Sequence, residues 1–323
     1  MRVVYIAGYG RSGSTVLDRA IGQHDGYASL GEAWKFWSHV AYADQYCGCG
    51  LRFSQCEMWQ NVRREVPDLF DPALAERFYA IHEAEFRTRR MLRLLTSSGR
   101  AQIDAAFPTE YRDALARLYR AIQVTTGAEV LVDSSKNPVY GYLLSQVEGV
   151  EVVVVHLIRD PRAVAFSWTR MRRDPGATEE RLMYRHSPAK SAVFWNVWNL
   201  SISAAARARN LPLVRVHYRD VAERLESVVE TVTTLAGRPM PRIDYGDALE
   251  LGVDHTVSGN PARFDRGTIP LKYDDEWTRA LSPNSRAIVT AICAPLLRAY
   301  GFPRRARPTR ETMRSETLPT ARP

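Results

Sequence analysis

Of the 44 basic residues in this chain only four are lysines, Lys35, Lys136, Lys190 and Lys272, which leaves 40 arginines. The bias is most simply explained by a GC-rich coding sequence, and it makes a lysine at a chemically meaningful position conspicuous. Cysteine is almost as scarce, with four in 323 residues and no secretory-type leader at the start. That excludes a disulfide framework and makes a reducing cytoplasm the expected compartment. Long apolar runs are absent as well. Val150–Ile158, the most apolar stretch, is interrupted by Glu151 and His156. It falls far short of the roughly 20 residues needed to cross a bilayer, which excludes a membrane span.

What is present is ample core material, 45% hydrophobic residues, and a formal net charge of +8. A basic balance calls for an anionic partner. The segment 303–323 holds six arginines against two glutamates, contributing +4 with almost nothing apolar, and reads as a disordered basic tail. One domain is expected over residues 1–302.

Arg2–Ala7 has the β-branched and aromatic character of a buried parallel strand, followed by a Gly-rich turn and a helix over Ser14–Gly22. Three further runs, Glu129–Val132, Glu151–Ile158 and Leu213–Val216, end in polar clusters and lead into helical patterns over Val139–Val147, Arg162–Met171 and Val221–Ala236. Strands alternating with helices predict an α/β fold: a P-loop-type, doubly wound parallel sheet whose ligands bind beyond the carboxyl ends of its strands. About 36–127 should be a helical insertion after the first βα unit, with amphipathic helices at Pro72–Leu95 and Pro108–Thr126. Two more helices are expected at Ala189–Arg209 and Asn284–Ala299.

The strongest local signal is Gly8-Tyr-Gly-Arg-Ser-Gly-Ser-Thr15 between a strand and a helix. Its outline is a phosphate-binding loop, in which backbone N–H groups and a helix N-terminus cradle anionic oxygens. Ser14 stands where the lysine of nucleoside triphosphate enzymes belongs, which argues against such a substrate, and Arg11 offers a forked cation suited to a smaller anion. A second polar cluster runs from Arg159 at a strand end to Ser167, eight residues on within a helix. Together these two could grip one phosphate.

In these motifs the sequence resembles the PAPS-dependent sulfotransferases, most closely the tyrosylprotein and carbohydrate branches and their bacterial relatives. Gly10-Arg11-Ser12-Gly13-Ser14-Thr15 is similar to their 5′-phosphosulfate loop, and Arg159 with Ser167 to their 3′-phosphate motif. The resemblance implies a catalytic glutamate at Glu32, 21 residues beyond Arg11, and a lysine at Lys136 in Ser135-Lys-Asn-Pro138. It further implies that Tyr218 packs on adenine and that Arg263, in Ser258-Gly-Asn-Pro-Ala-Arg-Phe264, reaches the 3′-phosphate. The implied reaction moves the sulfuryl group of PAPS to an alcohol or phenol on a small molecule or glycan. Glu32 acts as base, Lys136 and Arg11 stabilise the leaving group, and no metal is required.

One family feature is missing. Where the tyrosylprotein enzymes place a basic residue near the later tryptophan, Trp277 here follows Asp274, Asp275 and Glu276, an acidic run expected to start a helix. Arg170, Arg172 or Arg173 could supply that cation. Cys47, Cys49 and Cys56 could form a three-thiolate metal site with His39 or a carboxylate, but without a clear second ligand pair they read as reduced thiols in a Gly-rich loop, with no metal. The aromatic stretch Trp34, Phe36, Trp37, Tyr42, Tyr46 and Trp59 suits an acceptor pocket or ordinary core equally well. Trp195 and Trp198 read as core. The competing readings are a P-loop kinase-like enzyme, disfavoured by the missing loop lysine, and a nucleic-acid-binding protein, for which no zinc-finger, RNP-like or basic-helix signature appears.

Overall fold

The computed structural model describes residues 1–171 and 184–303. Arg172, Arg173 and all of the predicted tail except Pro303 lie outside them. Five strands, β1 (Arg2–Ala7), β2 (Tyr27–Gly31), β3 (Val130–Lys136), β4 (Glu151–Ile158) and β5 (Leu213–His217), form a sheet in the order β2-β3-β1-β4-β5. Every adjacent pair is parallel. A small antiparallel pair, β6 (Ala248–Leu251) and β7 (Gly267–Pro270), completes the described strands.

Both faces of the sheet are buried, which is why its strands read as near-continuous apolar runs. Val3, Tyr5 and Ala7 of β1 join a core with the aromatic residues of the insertion. Val4 and Ile6 face the other way, onto Leu17, Ala20 and Ile21 of α1 (Ser14–Gly22) and Val228, Val229 and Val232 of the helix Leu225–Leu235. The chain leaves β1 through α1 toward β2 at one edge. From β4 it passes through the helices Pro161–Thr169 and Pro188–Ala208 toward β5 at the other. Neighbouring strands β1 and β4 therefore send their connections in opposite directions, and the crevice beyond their carboxyl ends is the topological switch point.

Sequence and structure part in several places. β2 carries no strand signal: it is five residues long, has no β-branched residue and ends in a glycine. The helix predicted over Pro72–Leu95 stops at Glu85. Arg87 is extended, and short turns at Thr88–Met91 and Leu92–Leu95 follow, burying Met91 and Leu94. Helices at Glu57–Glu65 and Ser97–Ala106 complete the insertion. The one predicted over Val221–Ala236 is two, Tyr218–Glu223 and Leu225–Leu235, separated at Arg224. Phe36, Trp37 and Trp59 are 1% exposed and belong to the core, whereas Tyr42 is 54% exposed. Trp195 is buried, but Leu200, on the expected apolar side of the same helix, is exposed. Among the described residues no helix is long and apolar enough to cross a membrane.

Beneath the Gly-rich loop, Asp18 of α1 is fully buried and accepts a hydrogen bond from Ser134 Oγ at 3.1 Å. Burial pushes its carboxyl up to about 8, with the charge of Asp254 adding to the effect. Such a group holds its proton in the folded chain and loses it on unfolding, so it contributes less stability as pH rises from its unfolded value toward about 8. Asp18→Asn removes this falling limb. The melting temperature of the variant relative to the parent should therefore rise between about pH 5 and about pH 8. Thermal denaturation at the two pH values checks this, and a constant difference would contradict a raised Asp18 pKa.

Candidate active site

The turn after β1 passes through two left-handed residues, Arg11 at φ 70° and Gly13 at φ 89°. Gly13 could carry no side chain, because a Cβ there would lie 2.5 Å from the Tyr218 ring. α1 then begins at Ser14 with no side-chain cap, leaving the positive end of the helix directed at the loop. Ser12 Oγ is buried and has no hydrogen-bond partner. A buried donor left unsatisfied costs about 1–3 kcal/mol, so the loop is built for an oxygen-rich ligand. The Arg11 guanidinium sits 5.0 Å from the centre of the Trp168 ring.

Arg159, just past β4, closes the other side of the switch point. One guanidinium nitrogen donates to Arg11 O at 3.0 Å and another to Asp274 at 2.9 Å, while the group lies 4.2 Å above the Tyr218 ring. Its Nε is buried without a partner. Ser167 is buried on Pro161–Thr169, the helix that starts two residues after Arg159. The acidic run does precede a short helix, Trp277–Ala280, yet its carboxylates hold arginines: Asp274 holds Arg159, and Glu276 holds Arg170 at 2.8 Å. Sequence reasoning missed these pairs. A cavity of about 250 Å³ opens beside Arg159, lined among others by Tyr218, Arg219, Tyr273, Trp277 and Phe302.

On the opposite flank, Lys136 Nζ donates to Glu32 Oε1 at 2.6 Å, a pair whose side chains are 12% and 18% exposed. Two devices aim the lysine. A bulge lets three steps along β3, Asp133 to Lys136, match two along β1, Tyr5 to Ala7. Lys136 itself adopts φ 65°, a conformation that costs a side-chain-bearing residue roughly 1–2 kcal/mol. Only four non-glycine residues among those described have positive φ, and two of them are Arg11 and Lys136. Half of these strained positions thus belong to cations that the sequence singles out. Glu32 also accepts from Trp34 Nε1 at 3.3 Å. Burial alone would raise its pKa, but the charge and hydrogen bond of Lys136, helped by Lys35, outweigh this and hold the carboxyl below its ordinary value.

A late segment joins the two flanks. Glu32 N donates to Ser258 O at 3.0 Å, and Val257 N to Leu30 O at 2.8 Å. Gly31, at φ 65°, makes the approach possible, since a Cβ there would lie 2.5 Å from Ser258 O. At Gly259 a Cβ would stand 3.8 Å from Thr15 Oγ1, so the segment spans from the glutamate to the Gly-rich loop. Arg263 has its guanidinium on Thr256 O at 2.9 Å and Tyr46 O at 2.7 Å, anchoring the segment from below.

The profile of the sulfotransferase family matches residues 4–242. Among solved structures, the sulfotransferase domain of the Synechococcus PCC 7002 olefin synthase is similar to 94% of this chain over 95% of its own, with 18% identity and a TM-score of 0.51. The sulfotransferase domain from the curacin biosynthetic pathway aligns over 93% of this chain and 98% of its own, with 16% identity and a TM-score of 0.48. No curated protein matches the chain significantly.

Lys136→Met leaves the burial of Glu32 without its main opposing charge. The Glu32 carboxyl should then titrate at higher pH than in the parent, as followed by NMR of 13C-labelled glutamate carboxyls. An unchanged titration would mean that the ion pair is not what keeps Glu32 ionised.

Proposed function

Because the chain belongs to the sulfotransferase family, we propose that it transfers the sulfuryl group of PAPS to a hydroxyl of an alcohol or phenol, on a small molecule or glycan, with Glu32 as general base. The observation that carries this reading is the half-buried Glu32–Lys136 ion pair, tied through Ser258 and Gly259 to a Gly-rich loop with an unsatisfied buried hydroxyl.

The residues fit the donor. Ser12 Oγ and Arg159 Nε are buried polar atoms lacking protein partners, and the uncapped start of α1 faces the same loop. In this reading the amides of Gly10–Thr15 and Arg11 bind the 5′ end, while Arg159 and Ser167 bind the 3′-phosphate. Tyr218, already stacked under Arg159, forms the wall for the base. PAPS supplies an activated sulfuryl group whose departure leaves negative charge on a bisphosphate. Arg11 and Lys136 supply fixed positive charge for that oxygen, where electrostatic preorganisation is worth most. Glu32 takes the acceptor's proton: its low pKa keeps it ionised at neutral pH, and Lys136 and Trp34 fix its orientation. Arg263 serves as an anchor of the covering segment, since carbonyls hold its guanidinium.

Glu32→Gln preserves the shape and a hydrogen bond to Lys136 but cannot take a proton. It should lower kcat by roughly 10²–10⁴-fold while leaving PAP affinity nearly unchanged. Sulfate transfer from labelled PAPS, paired with calorimetric titration of PAP, checks both halves, and unimpaired turnover would remove Glu32 from the chemistry. Gly13→Ala, which drives a methyl group into Tyr218, should instead abolish the thermal stabilisation that PAP gives the parent. A variant still stabilised by PAP would place the nucleotide elsewhere.

A further inference from the structure

Cys47, Cys49 and Cys56 meet His255, not His39, which hydrogen-bonds its neighbour Ser38. Each of the four offers one ligand atom, and these atoms all lie within 4.8 Å of one another. No disulfide joins the cysteines. We propose that this cluster binds one structural zinc ion, which locks the covering segment of the active site to the helical insertion.

The donor chemistry selects the metal. Three sulfurs and an imidazole nitrogen form a soft, four-ligand set of the kind that takes zinc in a closed tetrahedral site. With Zn–S near 2.3 Å, the edges of such a tetrahedron are about 3.8 Å. The Cys47 Sγ to His255 Nδ1 distance is 3.7 Å, and the Cys56 Sγ to Nδ1 distance is 3.1 Å. Four protein ligands leave no open position, so the role is structural and separate from sulfuryl transfer.

The backbone already holds the two segments together at this cluster. Gly50, at φ 89°, turns the Cys47–Leu51 knuckle back on itself, and Cys47 N donates to Leu51 O at 2.8 Å. Gly48 admits the late segment: a Cβ there would meet Thr256 Oγ1 at 2.5 Å and Asp254 O at 2.8 Å. Gly48 N donates to Thr256 O at 3.1 Å, and Trp59 Nε1 to His255 O at 3.0 Å. Cys47 and Cys56 are fully buried, which shields their bonds from water.

The consequence for the active site follows from position. His255 lies three residues before Ser258, whose carbonyl receives the Glu32 N–H. A metal here would close a loop of about two hundred residues and fix that carbonyl.

Protein purified under reducing conditions should contain one zinc per chain by elemental analysis, and Cys56→Ser and His255→Ala should each lose it. Stripped protein titrated with Co²⁺ should develop thiolate-to-metal charge transfer and tetrahedral visible bands, both weakened in Cys49→Ser. Chelation of the unmodified protein should lower its melting temperature, with recovery on adding Zn²⁺ but not Mg²⁺, a readout that does not require any variant to fold. Metal-free reduced protein that takes up no Co²⁺ overturns the proposal, as does a Cys47–Cys56 disulfide in the native protein by mass spectrometry.

Discussion

Two opposite charges held half out of water, on Glu32 and Lys136, set the terms for the surrounding structure. Removing one partner of such a half-buried pair leaves the survivor largely desolvated and without its counter-charge. The bulge in β3, the left-handed backbone of Lys136 and the glycine at position 31 are each unfavourable or restrictive locally. The bulge and the left-handed turn bring a lysine from an inner strand beside the glutamate that follows the edge strand, and Gly31 admits the late segment against it. Asn137 takes up the geometry immediately afterward, its side chain capping the helix Pro138–Leu144 at Val139 N and Tyr140 N. The strained turn is thereby clamped between a strand and a capped helix.

Across the switch point the balance is different. Arg159 makes its bonds to Arg11 O, Asp274 and the Tyr218 ring, so one guanidinium ties the Gly-rich loop, the end of β4 and the segment before Trp277 together. Asp274 neutralises a cation that the sulfotransferase resemblance assigns to phosphate. Its side chain is 36% exposed, against 9% for Arg159, so the carboxylate is the more readily rehydrated partner.

The strand–loop–helix opening and the polar strand ends were legible in the sequence because such features of a parallel sheet are local: strand, glycines and helix are contiguous, and the end of each strand carries its own polar residues. The sequence gives Glu32 and Lys136 separate roles, and no spacing rule supplies their contact, which depends on the register of β2, β3 and β1. β2 itself escaped notice because Tyr27-Ala-Ser-Leu-Gly31 has neither branching nor alternation; it is held by pairing with β3 and by the late segment along its edge. The doubt over the aromatic stretch resolves by depth, with Phe36, Trp37 and Trp59 inside and Tyr42 outside. His255 was invisible as a partner of the cysteines, since nothing in a chain read linearly links a histidine to thiols some two hundred positions earlier.

The hydrogen bond from Glu32 N to Ser258 O has a temporal side. Its acceptor is synthesised 226 residues after its donor. At roughly 5–20 residues per second, a growing chain waits about 10–45 s between exposing the glutamate turn and receiving the group that closes it. For that interval the edge of β2 is bare, with unpaired backbone groups open to any extended segment nearby. The last third of the chain therefore acts as the sheath for an edge made near its beginning, and the nascent protein is most exposed to mispairing before that sheath arrives.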